Sequence, residues 1–430
     1  MRPRESRRTW QARPSQPQPP RRRAEFQLAE LNLGRKHRPD HWLLILSAVL
    51  LAIGLIVVYA ISPALSAANH VANNYYVGKQ LIAIALSVVA FAVTARTPLK
   101  WWRQAYKPLL IAAGLATLLA LVIPVNPAYP AHRWVRLGSL SFQSVELVKF
   151  ALMIWLAGFL AERIKQGAIT NTNATLKPIL IALLAIGVVV TGIQSDLGST
   201  GVMVAMMATM AFVAGLPMKR ILMIGGIIAV GLILAVSATP YRRERLEAYL
   251  HPEANCQGSG YQACQALIAV GSGGMVGLGL GSSVQAYGYL PEAANDSIFA
   301  IYAEKFGFIG SVALLGVFVA FFARLKSIAE RLEDDFTRLL VIGVLAWLSV
   351  QTLVNVGAMI GVLPLKGITL PFISYGGTSV VFIAAAIGLV YQASQYTSFV
   401  TARGDSSGAA SESAASRRLQ NSSLRRANYS

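Results

Sequence analysis

Ten stretches of this sequence, centred on residues 42–61, 80–95, 108–124, 147–162, 178–194, 199–215, 221–238, 298–323, 338–360 and 379–398, are apolar with few interruptions. Each is roughly 17 to 25 residues long, enough for a helix rising 1.5 Å per residue to cross a hydrocarbon core about 30 Å thick. Inside such a core no water replaces a missing backbone partner, so each run must satisfy its own N–H and C=O groups as a helix. The expected fold class is an all-α integral membrane protein of about ten transmembrane helices, with a large extracytoplasmic loop at 240–297 between helices 7 and 8. Composition agrees: 55% of residues are hydrophobic and 13% charged, where soluble domains carry about 25% charged residues.

The net charge of +19 does not point to nucleic acid, because the basic residues fall in tails and short connections rather than on one folded face. Arg96, Lys100, Arg103 and Lys107 follow the second run, Arg163, Lys165 and Lys177 the fourth, Lys219 and Arg220 the sixth, and Arg324, Lys326 and Arg331 the eighth. Basic short loops stay cytoplasmic, so both termini are expected there. Residues 1–40, rich in Arg, Pro and Gln, read as a disordered basic cytoplasmic arm, 41–398 as the membrane domain, and 399–430 as a disordered cytoplasmic tail. No cleavable signal peptide is expected, since the first apolar run begins only near His41 and serves as its own insertion signal. Arg242, Arg243 and Arg245 run against the charge rule by standing in the long outer loop.

Chemistry is expected in that loop. Its glycines are dense between Gly271 and Gly281, and glycine lets a backbone approach a ligand closely; the plainer reading is a flexible connection. Cys256 and Cys264 are the chain's two cysteines, too few for a metal centre of the paired-cysteine kind. Eight residues apart in an oxidising compartment, they are candidates for a local disulfide, with free thiols as the alternative. Glu304 and Lys305 lie inside the eighth run, where ionised groups are costly. Treating 296–304 as helix puts Glu304 about 80° around from Asp296, too far for a shared mechanism, so a structural or coupling role is expected. Glu146 and Lys149, spaced i to i+3, can pair locally.

Three segments, YQACQALIAVGSGGMVGLGLGSS from Tyr261, GYLPEAANDSIFA from Gly288, and NVGAMIGVLPLKGITLPFISYGGTS from Asn355, resemble in this order the SEDS family of shape, elongation, division and sporulation proteins. The resemblance covers roughly residues 42–398, and Leu363–Gly367 (LPLKG) is more like the division branch of gram-negative bacteria than the elongation branch. It implies a peptidoglycan glycosyltransferase. The 4-hydroxyl of an incoming lipid II attacks the anomeric carbon of the growing glycan and expels undecaprenyl diphosphate. Such a reaction needs a base at the hydroxyl and positive charge at the departing diphosphate.

Asp296 matches the family's essential aspartate, which makes it the candidate catalytic base or its orienter; the plainer reading is a cap for the following helix. The family's usual His-Thr-Asp-Phe reads Ala294-Asn295-Asp296-Ser297 here. Gln194-Ser195-Asp196 resembles a motif whose middle residue is proline, so a more flexible turn is expected, with Asp196 either touching substrate or capping the next helix. Arg133, Arg136, Arg242, Arg245 and Lys366 are candidates for the diphosphate, because guanidinium forks and ammonium groups suit phosphate oxygens; anionic headgroups are the alternative for the arginines. Glu146 and Lys149 match a family pair beside a central cavity. No cofactor is required by these residues, although a divalent cation, magnesium or manganese, would help the diphosphate leave.

The implied partners are lipid II and the growing strand, a class B penicillin-binding transpeptidase, other division proteins and membrane lipids. The implied place is the bacterial inner membrane at the septum. Readings of other classes are a lipid II flippase, a non-catalytic division scaffold, and an elongation enzyme of the same family. The flippase reading expects paired internal repeats with midplane sites, and none is visible.

Overall fold

The computed structural model describes residues 38–122, 134–137, 140–237, 247, 249–251, 254 and 256–396. Within the described residues, every apolar run centres on a helix. In chain order these are α1 (His41–Ala68), α2 (Tyr75–Arg96), α3 (Leu99–Val122), α4 (Ser144–Lys165), α5 (Thr172–Ile193), α6 (Leu197–Val213) and α7 (Met218–Ser237), then α8 (Tyr261–Ser272), α9 (Ile298–Glu330), α10 (Asp335–Met359) and α11 (Gly377–Ala393). Seven described helices, α1, α2, α4, α5, α9, α10 and, with the 3₁₀ turn that carries it to Tyr396, α11, are long and apolar enough to cross a membrane, and α6 is a shorter apolar helix.

Caps set where several of these helices begin. Asp40 accepts the Leu43 N–H at 3.1 Å to open α1, and Asp334 accepts the Thr337 N–H at 3.0 Å to open α10. Asp40 also pairs with Arg324 Nη2 at 2.6 Å and donates its own N–H to Ser394 Oγ at 3.0 Å. One end of α1 is thereby tied to the ends of α9 and α11.

α4 and α10 form the centre. Nearly every residue of α4 from Ser144 to Ala161 is buried, and Trp347 of α10 is fully covered. α2 instead turns Leu81, Ile82, Leu86, Val89 and Val93 outward, with Val88 61% exposed. That surface would be unfavourable in water and is the expected one against acyl chains.

Three elements differ from the sequence expectation. α3 begins at Leu99, well before the apolar run, because the Lys, Arg, Trp and Tyr residues of 100–107 continue a helical face rather than a loop. The connection before α4 holds an antiparallel hairpin, β1 (Trp134–Leu137) and β2 (Leu140–Gln143), with Trp134 opposite Gln143. The long segment after α7 contains α8, whose Cys264, Ala266 and Ala269 are buried.

Candidate active site

The glycines after α8 have a partner within the chain. α9 is broken at Gly307, whose φ of +66° is closed to most residues. At the break, Leu278 and Gly279 donate their N–H groups to the Glu304 and Lys305 carbonyls at 2.9 and 3.0 Å, while Phe308 and Ile309 donate to Gly274 and Met275 at 2.8 and 3.0 Å. A Cβ at Gly273, Gly277 or Gly307 would collide with backbone across this seam. Gly273 and Gly277 therefore serve close approach to α9 itself, a use that the expectation of a ligand-facing or flexible loop did not include, while Gly271, Gly274, Gly279 and Gly281 have open space where a Cβ would go. Glu304, fully buried, accepts the N–H groups of Val284 and Gln285 at 2.9 and 3.2 Å, and Ser283 Oγ also donates to it. Lys305 Nζ donates to the Leu280 carbonyl at 2.6 Å. Both charged residues fasten the loop to the kink.

Asp296 stands two residues before Ile298, the first helical residue of α9. The N-cap residue is Ser297, without a side-chain cap bond, so the aspartate is not spent on ending the helix. Helical geometry also begins only at Ile298, so the 80° offset expected between Asp296 and Glu304 does not apply. Three consecutive carbonyls pin the aspartate's backbone. Ala294 accepts the Tyr375 N–H at 2.8 Å, Asn295 accepts Ser374 Oγ at 2.6 Å, and Asp296 accepts Asn355 Nδ2 at 2.7 Å. Gly367, at φ +66°, passes beside the carboxyl, where a Cβ would stand 3.6 Å from Asp296 Oδ2.

Asp296 Oδ1 is covered and has no hydrogen-bond partner among the described residues. Asp296 borders a recess of about 10 Å³, lined also by Asn355, Lys366 and Gly367. Burial, helped by the neighbouring Glu292 charge, pushes the Asp296 carboxyl up from 3.8 to about 7, against hydrogen bonds from the Asp296 and Ser297 N–H groups and Gln262. A carboxyl that divides between its two forms near neutral pH is matched to general-base work.

A second buried polar group lies behind the first. Lys149 Nζ meets Glu146 Oε1 at 2.7 Å and Gln351 Oε1 at 3.2 Å, and lies over the Trp347 ring. Gln351 Nε2 reaches the Thr369 carbonyl at 2.9 Å, so this group ties α4 through α10 to the 363–376 return.

The family model described as Cell cycle protein, covering FtsW, RodA and SpoVE, matches residues 41–399. The chain belongs to this family. A FtsW/RodA/SpoVE relative from Coxiella burnetii, a probable peptidoglycan glycosyltransferase FtsW, is 36% identical over 82% of this chain and 95% of its own length. Stage V sporulation protein E of Bacillus subtilis is 34% identical over 85% and 99%. Among solved structures, one described as "Structural coordination of polymerization and crosslinking by a peptidoglycan synthase complex" aligns with a TM-score of 0.67 and 27% identity, covering 83% of this chain and 97% of that one. RodA of Thermus thermophilus aligns at 0.61 and 26%, covering 83% and 96%. The chain is a multi-pass helical membrane protein of the FtsW/RodA/SpoVE family.

Of the other expected site residues, Lys366 lines the Asp296 recess. Asp196 is 2% exposed and accepts the Ser199 N–H at 3.0 Å as the N-cap of α6, so of its two readings the cap is the one seen. Ser195 adopts φ +53°, a conformation closed to proline; the turn is a defined left-handed one rather than a loosened proline turn. Cys256 and Cys264 are bonded to each other. Arg133, Arg242 and Arg245 lie outside the described residues, and Arg136 enters only through its backbone, opposite Ser141 in the hairpin. Among the described residues no group of three His, Cys, Asp or Glu could hold a metal ion.

Gln351 and Asn355 are not among the site residues expected from the sequence. Their signal is present, since two amides one turn apart in an apolar span need buried partners.

Proposed function

We propose that this chain is a peptidoglycan glycosyltransferase that polymerises lipid II at the division septum, with Asp296 as the base. The observation that carries the reading is the Asp296 carboxyl: its backbone is held by three carbonyl bonds, one oxygen is covered and unpartnered, and its proton affinity is raised to about 7. The 4-hydroxyl of incoming lipid II loses its proton to Asp296 as its oxygen attacks the anomeric carbon of the strand, and undecaprenyl diphosphate departs. Lys366, beside the carboxyl, and Arg133, Arg136, Arg242 and Arg245 supply positive charge to the diphosphate.

Ten spans, α1 to α7 and α9 to α11, cross the membrane in this reading. The basic helix ends and connections at 96–107, 163–177, 219–220 and 324–331 face the cytoplasm with both termini, and 240–297 lies outside. Residues 1–40 and 399–430 are cytoplasmic arms flanking one membrane domain. The partner is a class B penicillin-binding transpeptidase that crosslinks the new strand, and the names of the FtsW relatives and the synthase-complex neighbour support both activity and partner. A purified complex with its cognate transpeptidase, given fluorescent lipid II, should yield long glycan ladders on a gel. A well-folded complex that makes no polymer but moves lipid II between leaflets of a vesicle would replace the polymerase by a transporter.

A further inference from the structure

Gln351 and Asn355 are two amides one turn apart on α10, and both use their NH₂ groups alike. Gln351 Nε2 donates to the Thr369 carbonyl at 2.9 Å, and Asn355 Nδ2 donates to the Ile368 carbonyl at 2.6 Å. Their oxygens differ. Gln351 Oε1 takes Lys149 Nζ and Trp347 Nε1 at 3.2 and 2.8 Å. Asn355 Oδ1 is buried, in a residue 2% exposed, and has no donor. An amide flip does not relieve it, because Nδ2 is fixed by two carbonyls, those of Asp296 and Ile368. Buried acceptors without donors are rare in folded proteins and call for a reason.

Asn355 and Asp296 border one recess, and Asp296 Oδ1 likewise has no partner. Two acceptors need a group with two hydrogens to give. The recess, about 10 Å³, is the size of a single water. The charged neighbours of the site, Glu292 and Lys366, leave that requirement unchanged: a carboxylate adds no donor, and Lys366 has an interaction of its own.

We propose that Asn355 and Asp296 together seat one proton-relay water, and that Asn355 is the positioning residue for both the water and the aspartate. The water donates one hydrogen to each Oδ1 and turns its own oxygen toward the acceptor sugar. In the transfer, the 4-hydroxyl proton passes to the water oxygen while the water's hydrogen passes to Asp296 Oδ1. The water is regenerated, the carboxylate becomes the acid, and the sugar oxygen is left free to attack. This rests on the polymerase reading above and specifies how its base reaches the hydroxyl.

The test is single-turnover glycan formation by the transpeptidase complex in H₂O/D₂O mixtures at a pH above 8. Native protein should give a downward-curved dependence on deuterium fraction, as two protons move together. Asn355→Ala and the gentler Asn355→Ser should lose at least about ten-fold in rate, the usual scale of a misplaced acid–base group, and lose the curvature. A linear native dependence overturns the relay without any variant, and variants that keep both native rate and curvature overturn the role of Asn355. If Asp296→Ala polymerises at the native rate, the Asp296 base fails altogether; if it is inactive while native curvature is absent, only the relay fails.

Discussion

Glu304 Oε1 accepts the Val284 N–H at 2.9 Å across 20 residues of chain, so one buried carboxylate of α9 holds the loop that ends at the candidate base. Replacing it by Ala would leave the Val284 and Gln285 N–H groups without their acceptor, at about 1–3 kcal/mol each. Glu304→Ala should lower the melting temperature in detergent and reduce polymerisation. Glu304→Gln, which keeps an acceptor oxygen, should sit between it and the native protein; equal melting of all three would refute the anchoring role.

The glycine seam makes a sharper contrast. Gly277 has φ +82° and faces the Lys305 carbonyl, whereas Gly281 has open space where a Cβ would go. Gly277→Ala should lose more than about 3 kcal/mol, from left-handed strain plus a backbone collision, and Gly281→Ala should be near neutral. Comparing folded yield and thermal melting of the two decides it. A tolerated Gly277→Ala would mean that the seam is not rigid.

The Glu146–Lys149 pair is buried, at 4% and 2% side-chain exposure. Lys149→Met should cost about 3–5 kcal/mol, because it strands a buried carboxylate. The double change Glu146→Gln with Lys149→Met should cost less than the sum of the two singles. Strict additivity in a double-mutant melting cycle would show that the pair is not coupled.

Asp296 gives two pH dependences. As a base it must be ionised, so the rate should climb with pH and level off above about 7. For stability, the folded carboxyl holds its proton more tightly than the unfolded one at 3.8, so folding takes up a proton between these values. Stability from this group therefore falls as pH rises from about 4 to about 7 and stays lower above. Asp296→Asn should melt higher than native protein at pH 8, with the difference vanishing below pH 4; a variant less stable at pH 8 would contradict the raised proton affinity.

The helices on the ten apolar runs were legible, because a 17-to-25-residue apolar run in lipid must satisfy its own backbone, whereas α8 in the long loop was not. Asp296 was singled out by the motif around it. What was not legible depends on contacts distant in sequence. The Gly307 break needs Gly274 and Met275 as partners, and the amide pair Gln351 and Asn355 takes its meaning from carbonyls at 296, 368 and 369. The start of α3 was missed for a local reason: a basic, aromatic turn reads as a loop by hydropathy yet continues the helix.

The most direct test of the central claim is the single-turnover rate of glycan formation at pH 8 by native protein and Asp296→Asn, matched for folded yield and lipid II binding. With Asp296 as the base, the variant loses at least about 10³-fold with binding unchanged, within the span that removal of a base commands. A variant within about ten-fold of native, equally folded and saturated, would remove Asp296 from the chemistry.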